Sequence, residues 1–99
     1  MPDQKHFQSL REDYLKREFP TEYAQMQKSG RLAKHLKQVG SEAVDLWETL
    51  ESQMRNSPDL PTDYGERVQA LEAIPEQIRD QINHELIWQP LPTRSQTLA

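Results

Sequence analysis

Ninety-nine residues, 34% hydrophobic and 28% charged, provide for one small domain with a thin core and no room for a deep substrate cleft beside it. The absence of cysteine excludes disulfides, thiolate metal sites and a thiol nucleophile. The longest apolar run, Leu86-Ile87-Trp88, falls far short of the roughly 20 residues of a membrane span. The net charge of −4 is unevenly spread: residues 11–37 hold seven bases and four acids, whereas residues 38–99 hold four bases and eleven acids. Such polarity steers a charged partner toward one end of a molecule. Met1-Pro2-Asp3-Gln4-Lys5 has no apolar segment behind it, so the reading is a cytoplasmic protein without a signal peptide.

In chain order, Phe7, Leu10, Tyr14 and Leu15 form the apolar side of a short amphipathic helix ahead of Pro20. Tyr23 and Met26 suit a further turn or two before Ser29-Gly30. Leu32, Leu36, Val39, Ala43, Leu46, Leu50 and Met54 then recur at spacings of three and four, one face of a long helix over residues 31–56. Gly40-Ser41 falls inside it, but the apolar phase passes through without a skip, so the helix is expected to continue. Asn56-Ser57-Pro58-Asp59-Leu60-Pro61 is a break rich in turn formers.

Asp63, with Glu66 three positions on, resembles a capping box and opens a second stripe: Tyr64, Val68, Leu71, Ile74, Ile78, Ile82 and Leu86. Pro75 should kink or split this helix, and Gln89-Pro90-Leu91-Pro92 ends it. The two stripes each span 22 positions, about 33 Å at the helical rise. Equal stripes joined by a short connector predict an antiparallel helical hairpin with the shorter N-terminal helix packed across it, an all-α small helical bundle of three principal helices. Residues 1–92 form the single domain and residues 93–99 a loose tail.

Catalysis finds no support in the residues. His6, His35 and His84 lie on different segments, and His84-Glu85 lacks the second histidine of a zinc-binding helix. No glycine pattern cradles a phosphate, and no serine has an elbow around it. The expectation is a protein that is not an enzyme and uses no metal or cofactor.

Charge and tryptophan carry the remaining signal. Lys28, Arg31, Lys34 and Lys37, with His35 and Gln38, form a basic face, and no acid occurs from Tyr23 to Ser41. Such a face suits phosphates or an acidic protein patch. Glu42, Asp45, Glu48 and Glu51 follow at helical spacing as an acidic ridge, in an order opposed to the helix dipole. A ridge of this kind imitates a nucleic-acid backbone toward a basic groove; its bland reading is a solvated outer face. Trp47 and Trp88 end or border apolar runs and read either as core or as interface anchors. With two long stripes and one short covering helix, they are candidate contacts of a homodimer.

Several stretches together resemble the transposon-encoded TnpV family. They are Tyr14-Leu15-Lys16, Pro20 and Tyr23, Ser29-Gly30-Arg31-Leu32 with His35-Leu36, then Ala43, Leu50 and Gln53-Met54. Glu85-Leu86-Ile87-Trp88 stands where the family usually ends in an ELIY-like run. The resemblance covers about residues 11–88. The chain departs from the pattern around Arg67–Pro75, where members tend to carry a tryptophan, an asparagine and an arginine.

The resemblance implies residence on a mobile genetic element and no reaction. The first expectation is therefore a non-enzymatic accessory or regulatory protein acting through protein contacts, with a nucleic-acid-handling protein among the partners it allows. The alternatives are a phage- or plasmid-borne inhibitor of a host defence nuclease, anti-CRISPR-like, using the acidic ridge as a mimic, and a small nucleic-acid-binding protein using residues 28–38. Direct nucleic-acid binding is the less favoured of these, because residues 38–99 would repel a duplex from most approaches.

Overall fold

A computed structural model describes residues 3–91; the expected tail at 93–99 lies outside the described residues. Helix α1 (Gln4–Glu18) starts at Asp3, whose side chain accepts the backbone N–H of His6 at 3.0 Å, satisfying one of the orphan donors of a first turn. Helix α2 (Pro20–Ser29) has proline at its first position and ends at Gly30, which takes φ 79°, a left-handed cap open to glycine without strain. Ten residues exceed the turn or two expected here: the proline start and the glycine stop define a complete short helix. Tyr23 Oη donates to Glu12 Oε2 at 2.7 Å and ties α2 to α1.

Helix α3 (Arg31–Arg55) is continuous through Gly40, as the unbroken apolar phase predicts. The glycine has a packing reason. A Cβ built at residue 40 would meet the Gln4 carbonyl oxygen at 2.9 Å and Gln8 Cγ at 3.0 Å. The missing side chain lets α1 lie close against α3, at the roughly 1 kcal/mol that glycine costs a helix interior relative to alanine.

Helix α4 (Tyr64–Ile82) opens on Asp63, which accepts the backbone N–H of Glu66 at 3.1 Å. It runs through Pro75 without splitting. One backbone donor is missing there, but buried Ile74 and Ile78 on either side hold the helix against its neighbours. A five-residue π turn (Asn83–Ile87) follows, closed by the Trp88 N–H donating to the Asn83 carbonyl at 2.8 Å. The extra residue rotates what comes after it. The buried stripe therefore reads Ile74, Ile78, Ile82, Ile87, and Leu86, expected as its last member, is only half-buried.

Architecture follows expectation in class, an all-α small bundle, and differs in detail. The α3–α4 hairpin forms, but α1 packs along α3 and reaches the second arm chiefly at the π turn. Two apolar clusters result. The larger joins Phe7 to Val39, Ala43, Trp47 and Leu50 of α3 and to the α4 isoleucines. The smaller joins Leu15, Leu32, Leu36 and Leu91. On α1 the buried line is Phe7, Arg11, Leu15, while Leu10 and Tyr14 are half-buried. Tyr64, expected to begin the second stripe, is 82% exposed, because α4 packs against the core only from Leu71 onward.

Candidate functional site

Arg11 lies between Phe7 and Leu15 at helical spacing, and so between the two apolar clusters, with 2% of its surface exposed. Its Nη1 donates to the Ile87 carbonyl at 2.8 Å and to the Gln89 carbonyl. Its Nε donates to His35 Nε2 at 3.2 Å, and its guanidinium carbon stands 5.6 Å from the Tyr14 ring centre. A planar fork that donates from separate nitrogens suits this division among three acceptors, whereas an ammonium would have to donate to all three from one atom. The acceptors include the last carbonyl of the π turn, that of Ile87, at the negative end of the backbone dipole. Burial pushes the Arg11 pKa down and the nearby Tyr14 pushes it up. Burial also lowers the His35 pKa, and the Arg11 charge lowers it further. His35 is thus neutral, with the bare Nε2 that the arginine needs as an acceptor.

This clamp brings together two of the stretches that carry the family resemblance. His35 belongs to Ser29–Leu36, and Ile87 to His84–Trp88. The clamp fixes the path of the chain after the π turn, and with it Trp88. The Trp88 ring meets the His84 ring edge-on at 5.2 Å between centres, and Gln89 Nε2 donates back to the His84 carbonyl. Trp88 remains 44% exposed. It borders an open groove of about 450 Å³ together with Leu10, Asp13, Lys16, Arg17 and Asn83. An exposed aromatic and a half-buried leucine beside two cations and one acid make a surface that can hold an apolar anchor carried on a segment of net negative charge.

The charged residues singled out by spacing divide between two helices. Lys28 is on α2; Arg31, Lys34, Lys37, Glu42, Asp45 and Glu48 line the outer side of α3, all exposed. Glu51 is half-buried and pairs with Arg55 at 3.4 Å. Trp47 does not line a surface. It is 2% exposed in the larger cluster, 6.4 Å from the Phe7 ring centre, because the α1 crossing at Gly40 covers that side of α3. Its buried Nε1 has no hydrogen-bond partner among the described residues. Spacing alone placed Leu10 on an apolar helix face and gave no sign that it lines a groove with Asp13, Lys16, Arg17 and Asn83, since the groove exists only once the π turn has set Trp88 against α1. Arg11 carried a usable signal, a base four residues from each of two apolar positions.

Among the described residues, no group of three or more histidines or acids is placed to hold a metal ion, and no helix is long and apolar enough to cross a membrane. The molecule is thus a small helical bundle whose distinguishing features are surfaces: a tryptophan groove held by a buried arginine clamp and a charged helix face. The chain belongs to the family of transposon-encoded protein TnpV, which matches residues 3–87. That match takes in all of α1, including Arg11. Neither the curated proteins nor the solved structures offer a match to the chain.

Proposed function

We propose that this protein is a non-enzymatic accessory or regulatory factor of a mobile element, acting in the cytoplasm by protein–protein contact through the Trp88 groove. The supporting observation is Trp88 itself. Among the described residues it is one of two exposed large hydrophobic side chains, 44% exposed, and it is anchored by His84 on one side and by the Arg11 clamp behind. Rigid, partly exposed tryptophans are efficient interface anchors because little side-chain freedom is lost on binding. Lys16 and Arg17 on the groove wall favour a partner segment that bears acids around an apolar residue.

The test is an element mobilised with the unaltered chain, with Trp88→Ala, or with no chain. The expected result is that Trp88→Ala shifts transposition frequency to the level seen without the chain, while its thermal melt stays close to that of the unaltered protein. Normal frequency with Trp88→Ala removes the groove from the function. The exposed ridge Glu42, Asp45 and Glu48 supports a second reading, inhibition of a host defence nuclease by imitation of phosphates. In that case activity survives Trp88→Ala and is lost when the three acids are neutralised.

A further inference from the structure

Charge on the outer side of α3 is ordered against the interest of its own helix. Arg31, Lys34 and Lys37 occupy the N-terminal part, next to the positive end of the dipole, and Glu42, Asp45 and Glu48 come after them. On a helix surface, residues three and four apart are neighbours. Each of these six has only uncharged or like-charged residues at those distances along α3, and the step of five from Lys37 to Glu42 denies the two blocks any ion pair with each other. Among the described residues none of the six takes part in an ion pair. A single chain therefore carries the repulsion within each block and gains nothing from the attraction between them.

The same order is complementary to itself when reversed. The residue numbers of Arg31 and Glu48 add to 79, and so do those of Lys34 and Asp45, of Lys37 and Glu42, and of Gln38 and Ser41. Two copies of α3 laid antiparallel about a two-fold axis between residues 38 and 41 place residues of constant sum opposite one another. Arg31, Lys34, Gln38, Ser41, Asp45 and Glu48 recur at spacings of three and four, so they form one line along the helix, with Lys37 and Glu42 flanking its centre. We infer that the protein pairs with a second copy of itself through this face, α3 antiparallel to α3.

Arg31 then faces Glu48 and Lys34 faces Asp45, symmetry repeats each pairing, and the two helix dipoles oppose. A shallow depression of about 460 Å³, lined by Lys34, Lys37, Gln38, Ser41 and Glu42, lies at the axis and accommodates side chains from the partner copy. Other occupants fit less well. A nucleic acid meets the acids, and a uniformly charged protein patch is repelled by one block or the other. The surface that matches is one with both signs in reverse order, which a second copy supplies by construction. The face has no apolar anchor, so the association is weak and sensitive to salt. It is separate from the Trp88 groove, which lies between α1 and the π turn.

Sedimentation equilibrium of the unaltered chain tests this at low and high salt. The expected result is a reversible dimer whose dissociation constant rises roughly tenfold or more between 25 mM and 500 mM salt. Two triple variants complete the test: Arg31→Glu/Lys34→Glu/Lys37→Glu and Glu42→Lys/Asp45→Lys/Glu48→Lys. Each alone should be monomeric, with helical circular dichroism retained, since all six positions are exposed; mixed in equal amounts they should form a heterodimer. A strict monomer at 25 mM salt and high micromolar concentration overturns the proposal. So does a dimer indifferent to both salt and charge reversal, which would place the contact elsewhere, the Trp88 groove included.

Discussion

The two ends of the bundle are built differently. At one end α1, the N-terminal part of α3 and the chain after the π turn converge on Arg11, and Leu15, Leu32, Leu36 and Leu91 close around one another. At the other, the bend over residues 56–63 and the start of α4 contribute no buried residue between Leu50 and Ile74. A groove of about 240 Å³ opens there among Met54, Leu60, Pro61 and Ala70. Both ends hold apolar side chains, so composition alone does not separate them. The difference is the number of elements that meet: three segments enclose a side chain on all sides, whereas two helices leaving a bend can cover only the face between them.

The contrast is sharpest for isoleucine and valine on the same helix. Ile78→Ala, at a fully enclosed position, should cost roughly 2–5 kcal/mol, a large share of the roughly 5–15 kcal/mol of a small domain. Val68→Ala, half-buried near the bend, should cost under about 1 kcal/mol. Urea titration of the two variants separates them, and equal losses would show that the bend end is as well packed as the rest.

Next in size comes the clamp. Arg11→Met keeps the stem and removes the donors, leaving the Ile87 and Gln89 carbonyls without their partner, at a cost of about 2–4 kcal/mol. Hydrogen exchange should accelerate in the π turn ahead of the α3–α4 contact. Uniform acceleration would mean that the clamp and the hairpin open as one unit.

Gly40→Ala reverses the usual effect of that substitution. Helix propensity alone predicts a gain of about 1 kcal/mol, but the close approach of the Gln4 carbonyl makes the expected outcome a net loss of about 1–3 kcal/mol. A raised melting temperature would show that α1 can move aside freely.

The smallest effect is that of pH. The His35 pKa is lowered in the folded chain from its ordinary 6.5, so the unfolded chain binds the extra proton between the folded value and 6.5. The stability that the neutral imidazole contributes is therefore fully present above about pH 6.5 and declines as pH falls through that window. His35→Gln retains an acceptor for Arg11 and should flatten this segment of the stability profile.

The helical hairpin and the continuity of α3 were legible because a stripe with a period of three to four survives any single odd residue, Gly40 included. The α1 face was legible only in part. Leu10 and Tyr14 have the right chemistry for a core, but Arg11 holds the central position because the Ile87 and Gln89 carbonyls there need a donor. Trp47 and Trp88 are indistinguishable by local pattern and are parted by tertiary context: α1 covers the first, and the π turn turns out the second. A one-residue insertion into a helix leaves no mark in composition or propensity, and so the groove, which depends on it, was hidden as well. The charged residues of α3 were readable one by one; their mutual register needed the helix to be whole.

The opposed settings of the two tryptophans also give the protein a built-in optical readout. Trp47 is enclosed and Trp88 is open to solvent, and the chain has two tryptophans in all. Iodide, a quencher that stays in water, should extinguish the emission of Trp88 and spare that of Trp47. An occupant of the groove should restore the Trp88 emission against iodide, whereas unfolding should shift the Trp47 emission to longer wavelength. One fluorescence cell can thus report on the surface and on the interior separately, with no label added.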